Sequence, residues 1–311
     1  MQEALRLVFL NDRGLRAGWR LLIFILIFAG IQFAIFAPFV LLRGRPPAPT
    51  GGVLTPGTQL VAEALTLAGL LLASWIMSRI EKCSMGDYGL PLRGTPVFQL
   101  LVNGYVFWGF LALSICLIAL HLLGVYDFGG ALLHGGEIVK WGLAWFVVFL
   151  LVGFAEEYLL RGYLLCTLAD GIGFWPATIV MGVLFGLGHA QNPGETRIGV
   201  VATVVFAIFA SVTLRLTGSL WLAVGAHAGW DWGQSFFFGV SDSGMKAQGH
   251  LLDPRIHKGP EWLTGGTVGP EGSVVTLILW CAMMMLFYLV YRNWKHPDAL
   301  TTAATEPPQA V

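Results

Sequence analysis

Three short segments carry the residues that could do chemistry. The first is F-A-E-E-Y-L-L-R-G, residues 154–162, with Glu156, Glu157 and Arg161. On a helix, Glu157 and Arg161 stand four apart and share a face, so they can pair. Glu156 is rotated by about 100° from Glu157 and is less well placed to share the guanidinium. This spacing divides the labour: Arg161 neutralises Glu157, and Glu156 is left for a polar cavity. The second segment is F-G-L-G-H, residues 185–189, in which Phe185 and His189 share a face. Two glycines between them thin the helix, so a neighbouring backbone can approach. The third is H-A-G-W-D, residues 227–231. Asp231 lies one helical turn beyond His227, where a carboxylate can fix the imidazole tautomer or take its proton.

Together these segments offer an acid–base group, two imidazoles and a helper carboxylate. Hydrolysis in a secluded site needs that set: water must be held, deprotonated by a carboxylate and aimed at a carbonyl whose oxyanion is then stabilised. Glu156, His189 and His227 also match the ligand set of a catalytic zinc with an open position. The residue types do not choose between metal-bound and metal-free water. Each segment has a plainer reading too. The glutamates would sit at the inner water interface, His189 would be a satisfied helix-end residue, and His227–Asp231 would be a hydrogen bond between packed helices.

The elements that must position these residues are membrane spans. Of 311 residues 56% are apolar and 12% charged, with a mean hydropathy of +0.72; an average soluble domain is about 25% charged. A soluble chain of this size could not hide that much apolar surface, which excludes a cytosolic globular enzyme. Lys+Arg and Asp+Glu are 18 each, so no basic field exists to hold nucleic acid. The cysteines Cys83, Cys116, Cys166 and Cys281 stand far apart and suggest neither a disulfide framework nor a Cys-rich zinc site. Eight apolar runs qualify as spans: 21–42, 60–78, 99–123, one starting near Trp141, 174–190, 198–214, 219–238 and 274–291. The fourth is odd. Its helical pattern continues from Val139 to Leu168, roughly 45 Å at about 1.5 Å per residue, more than the roughly 30 Å of hydrocarbon. It is therefore tilted or partly outside lipid.

With the N-terminus inside, eleven of the eighteen Lys and Arg fall on inner segments, which favours cytoplasmic termini. The expectation is one membrane domain over 1–295, with a motif-bearing core at about 140–240 and a disordered tail at 296–311. Residues 43–59 and 239–273 read as loops, the second the longest and a candidate lid. His121, His134, His250, His257 and His296 read as interfacial or loop residues, and so does Glu63.

The three motifs, in order, resemble the CPBP intramembrane protease family, which includes the CAAX-processing endopeptidase of prenylated proteins and the Abi-type proteins. The family pattern is E-E-x-x-x-R, then F-x-x-x-H, then H-x-x-x-N/D, and it reads here as Glu156-Glu157…Arg161, Phe185…His189 and His227…Asp231. The resemblance covers roughly 140–240. Y-G-L-P-L-R at 88–93 also looks like the family's Gly-Leu segment. The resemblance implies an all-α polytopic bundle of about eight transmembrane helices with an intramembrane polar cavity. It makes Glu156 the general base, His189, His227 and Asp231 its partners, and Glu157, Arg161 and Phe185 supporting residues. The family has been read both as a metallo-protease, with a divalent ion such as zinc on Glu156, His189 and His227, and as a metal-free glutamate protease. Asp231 departs from the Asn often found there: Asn can donate to an oxyanion and an ionised Asp cannot. Either Asp231 is protonated, or it orients His227 and another group completes the oxyanion hole.

The expected function is thus an intramembrane endopeptidase in a bacterial inner (plasma) membrane, with lipids and a peptide or membrane-anchored protein as partners. A proton-coupled transporter and a non-catalytic scaffold or immunity protein are the alternatives. One positional conflict accompanies the enzyme reading. Glu156 lies past the middle of span four, while His189 is at the outer end of span five. They meet only if the fourth helix sits higher than Trp141 suggests, or the fifth is short and re-entrant.

Overall fold

A computed structural model describes residues 8–11, 14–43, 52–93 and 95–293. The tail at 296–311 and residues 44–51 of the first loop lie outside the described residues. Each of the eight apolar runs forms a helix: α1 (Ala17–Arg43), α2 (Pro56–Glu81), α3 (Val97–Leu122), α4 (Gly136–Ile172), α5 (Phe174–His189), α6 (Arg197–Thr217), α7 (Trp221–Trp232, continued by Gly233–Phe237) and α8 (Val274–Tyr291). The protein is an all-α polytopic membrane protein. Six of these helices are long and apolar enough to cross a bilayer; α5, at 16 residues, and α7 are shorter.

The shortness of α7 follows from its place. It is the axial helix, buried from Leu222 through Asp231, and it packs on α3 and α4. Backbone meets backbone at the α3 crossing. A Cβ on Gly225 would overlap the Leu101 carbonyl oxygen, and one on Gly229 the Tyr105 carbonyl oxygen. Gly104 and Gly109 of α3 meet α7 reciprocally, at the Leu222 and Ala226 carbonyls. In lipid, where no hydrophobic force drives helix to helix, such small-residue contacts supply the packing. Gly153 does the same for α4: a Cβ there would sit 2.9 Å from the Val224 carbonyl oxygen and 3.4 Å from His227 Cβ.

The length of α4 resolves the positional conflict. It runs beyond Leu168 to Ile172, bending where a wide π-type turn spans Tyr158–Leu164 and Gly162 adopts ψ −108. Gly173, at φ +87, then reverses the chain into α5. Glu157 stands sixteen residues before Gly173 and His189 sixteen after; Arg161 and Phe185 stand twelve on either side. In an antiparallel hairpin equal offsets lie at equal height, since each residue advances about 1.5 Å. The first two motifs are therefore level.

The loops divide into two faces. Lys246–Ala247 pairs in parallel with Val53–Leu54, and Arg255–Ile256 pairs antiparallel with Tyr126–Asp127. The Thr196 hydroxyl donates to the Gly272 carbonyl at 3.2 Å. Loop 239–273 is thus stitched to the segments before α2, after α3 and after α5, and forms a cap. The Trp145 indole anchors it to α4 through the Gln248 carbonyl at 2.8 Å. On the opposite face, Arg20 holds Glu81 at 2.5 Å and Asp170 at 2.9 Å, joining the starts and ends of α1, α2 and α4. The first described residues lie on this second face, where Ala17 packs on Gly171.

The crossing of α3 and α7 should tolerate no added methyl group. Gly225→Ala is expected to cost about 1–3 kcal/mol, the usual range for overpacking, and to lower the melting temperature in detergent. Gly30→Ala in α1, where nothing lies within 4 Å of the added carbon, should leave it unchanged.

Candidate active site

His227 is the hub at which the motifs meet. Its Nδ1 lies 2.9 Å from Glu157 Oε1, and its Nε2 lies 3.4 Å from Asp231 Oδ2 and 3.8 Å from Glu156 Oε2. The first contact decides the tautomer. The Glu157 carboxylate is held by Arg161, whose Nη1 donates to the same oxygen at 3.1 Å, so it can only accept, and Nδ1 must carry the hydrogen. Nε2 then faces the two remaining carboxylates, and since a ring lone pair and a carboxylate oxygen both accept, a proton on one of these groups must stand between them. The sequence offered Asp231 as one group that could orient His227; the shorter contact, and the one on Nδ1, belongs to Glu157.

Glu157 and Arg161 are both fully buried, at 0% exposure. Their fourfold spacing places them on one face, as the sequence requires, and the third partner comes from α7. Arg161 is also covered by aromatic faces: its Cζ stands 4.4 Å from the Phe185 ring centre and 6.0 Å from that of Phe206 in α6. Phe185 therefore caps the buried guanidinium from α5, an interaction favoured by the ring quadrupole. It also packs edge-on against His189, with ring centres 4.3 Å apart. His189 Nδ1 lies 3.0 Å from the Phe185 carbonyl oxygen, so Nδ1 donates there and Nε2 is again the free nitrogen.

Glu156, His189, His227 and Asp231 line one cavity of about 480 Å³. Glu156 Oε2 is buried within it and takes no hydrogen bond from the protein. The π-type turns begin directly after Glu157 in α4 and after Trp232 in α7, and a third occupies Gly104–Phe110 of α3. The first two lie on helices that carry site residues, where such turns commonly concentrate, and the third lies where α3 crosses α7.

The cavity has walls that the motifs did not announce. Gln59 and Glu63, one turn apart on α2, line it, and Glu63 is half-buried there. Asn192, three residues past His189, lines it as well. The cap contributes Asp242, Ser243, Met245 and Glu271. One carboxylate oxygen each of Asp231, Asp242 and Glu271 lie within 4.8 Å of one another. Ser235 donates to Asp242 at 2.7 Å and the Ser243 amide to Glu271 at 3.1 Å. Burial, with the Glu156 charge adding, pushes the Asp242 carboxyl up to about 6. Burial and the charges of Asp242 and Asp231 hold Glu271 well above the ordinary range. The sequence signal for these residues was weak: acidic residues in a polar loop, far from the motifs, with nothing to show where that loop folds.

The residue types suit a divalent ion, but among the described residues the compact group, with one ligand atom each within 4.8 Å of the others, is Asp231, Asp242 and Glu271 and not Glu156, His189 and His227. Both imidazoles are anchored through Nδ1, to a carboxylate and to a carbonyl, the usual second-sphere support of a ligating histidine. Each has a free Nε2, and Glu156 and Asp231 bring carboxylate oxygens to that of His227. Glu156, His189 and His227 are the residues that the resemblance assigns to such an ion, and of these Glu156 and His227 approach to 3.8 Å.

Residues 138–233 match the family model described as type II CAAX prenyl endopeptidase Rce1-like. The match spans all three motifs and agrees with the resemblance seen in them. No curated protein and no solved structure matches the chain.

The buried Glu157–Arg161 pair makes a stability prediction. Arg161→Met strands the Glu157 charge beside His227 and should destabilise the protein by about 3–5 kcal/mol, as breaking a buried pair does. The double variant Glu157→Gln/Arg161→Met should recover part of the loss. Thermal unfolding of the purified protein in detergent measures both.

Proposed function

We propose, for a chain whose residues 138–233 are of the CAAX prenyl endopeptidase type, that the protein is an intramembrane endopeptidase that cuts a membrane-anchored peptide with water activated by Glu156. The observation that carries this reading is the 3.8 Å approach of Glu156 Oε2 to the Nε2 of a His227 whose other nitrogen is fixed by Glu157, inside a cavity shared with His189 and Asp231. A water between that carboxylate and that imidazole has one acceptor to take its proton and a second to aim its lone pair. Attack on a carbonyl carbon moves the proton to Glu156. The protonated Glu156 then gives it to the leaving amide nitrogen as the carbon–nitrogen bond breaks. Glu157, held by Arg161, keeps the ring of His227 turned so that Nε2 faces the cavity throughout. A divalent ion on Glu156, His189 and His227, where present, would supply Lewis acidity and a more acidic water.

The oxyanion needs a neutral donor, and Asp231 stands where an Asn would provide one. Asn192 supports a substitute: it lines the cavity from the turn directly after His189, and its amide is a neutral donor. In this assignment Asn192 donates to the developing oxyanion while Asp231 faces His227 Nε2.

The Lys and Arg distribution supports cytoplasmic termini, and the Abi-type resemblance supports a bacterial inner membrane. The cap then lies on the side opposite the termini.

Glu156→Gln, His189→Ala and His227→Ala should each lower kcat by at least about 10²–10⁴-fold, the worth of a positioned base, on a lipid-anchored peptide in liposomes, with insertion unchanged. Full activity in Glu156→Gln would remove Glu156 as the base. Asn192→Ala should lower kcat by about 10²-fold with KM little changed, the mark of a donor used in the transition state. An unchanged kcat would take the oxyanion away from Asn192.

A further inference from the structure

The cavity wall carries one sign of charge. Glu63 from α2, Glu156 from α4, Asp231 from α7 and Asp242 and Glu271 from the cap all line it, and among the described residues no Lys or Arg does. The groups that hold these carboxylates do not neutralise them. Ser235 and the Ser243 amide are neutral donors to Asp242 and Glu271. Arg161 is already committed to Glu157 behind the wall. Only two of the five acids, Glu156 and Asp231, lie within 4 Å of an imidazole nitrogen. Glu63 and the two cap acids have no imidazole nitrogen that close, and Glu63 and the cap lie outside the matched segment.

From this geometry we infer that the cavity selects a basic substrate: a peptide segment with Lys or Arg side chains next to the bond that is cut, held between Glu63 of α2 and the Asp242–Glu271 pair of the cap. Uncompensated carboxylates in a partly dry cleft are costly, and a cationic guest removes that cost. A cleft of one sign with low-dielectric walls also focuses its field and concentrates oppositely charged ligands. Guanidinium or ammonium groups supply the donors that these carboxylates lack. The acids come from α2, α4, α7 and the cap rather than from one compact group, which suits a chain with more than one basic side chain better than a point ion. A single ion would use the close Asp231–Asp242–Glu271 group and leave Glu63 unbalanced. This inference names the substrate class of the peptidase reading and rests on it.

The test uses the full chain in nanodiscs and pools of lipid-anchored, internally quenched decapeptides enriched in Lys, in Gln or in Glu. The Lys pool should be hydrolysed with a kcat/KM at least about tenfold above the Gln pool, and the Glu pool should fall below both, consistent with field focusing in a cleft. The ratio should shrink in high salt. Glu63→Gln and Asp242→Asn should each narrow it mainly through KM. A binding arm separates the two readings, using fluorescence anisotropy of the same pools on the Glu156→Gln variant. Tighter binding of the Lys pool with no hydrolysis by the natural chain overturns the peptidase reading and leaves the charge selection standing. Equal binding of the three pools overturns the charge selection, whatever is cleaved. A preference for the Lys pool that emerges only after chelator treatment also overturns it, because a resident metal ion would then be the cation the wall accepts.

Discussion

The structure turns on one carboxylate. Glu157 is fully buried and takes the Arg161 guanidinium on one side and His227 Nδ1 on the other. A lone charge there would cost several kcal/mol to desolvate, and even the ion pair is not a dependable source of stability. What the arrangement provides is direction. Arg161 keeps Glu157 an acceptor, Glu157 keeps the hydrogen of His227 on Nδ1, and the other nitrogen is turned toward Glu156 and Asp231. Phe185 and Phe206 close over the guanidinium, so the chain of contacts reaches α5 and α6 without further polar groups.

That chain of contacts requires backbones closer than ordinary side chains allow. Gly153 lets α4 meet α7 beside His227, and Gly225 and Gly229 let α3 meet it from the other side. With α7 held this tightly, its imidazole has a fixed position relative to the α4 carboxylates. The π-type turn after Glu157 widens α4 where Arg161 must reach back across one turn. Packing and chemistry are thus one problem in this molecule: the glycines that remove side chains are what allow the charged ones to converge.

The cap is less tied to the motifs and gives the site its individuality. Two short strand pairings and the Trp145 and Thr196 hydrogen bonds join loop 239–273 to three other segments of the same face. Those contacts bring Asp242 and Glu271 to Asp231. Helices α4, α5 and α7 bring the three motifs together, and the cap with α2 provides a wall that lies outside the matched segment.

The sequence by itself determined the membrane architecture and the pairing within each motif. Apolar runs of span length can satisfy their backbone only as helices in lipid, and a fourfold spacing puts Glu157 beside Arg161 and His227 beside Asp231 on any helix. The equal offsets of the first two motifs from Gly173 were also there to be read, but only once the turn was known to close a hairpin. Tertiary structure alone decided which carboxylate meets which nitrogen of His227, where Glu63 and Asn192 face, and that Asp242 and Glu271 belong to the cavity. The reason is physical. Helical periodicity fixes neighbours within one rod, whereas contacts between rods and across a loop depend on crossing distances and strand pairings set by many residues at once.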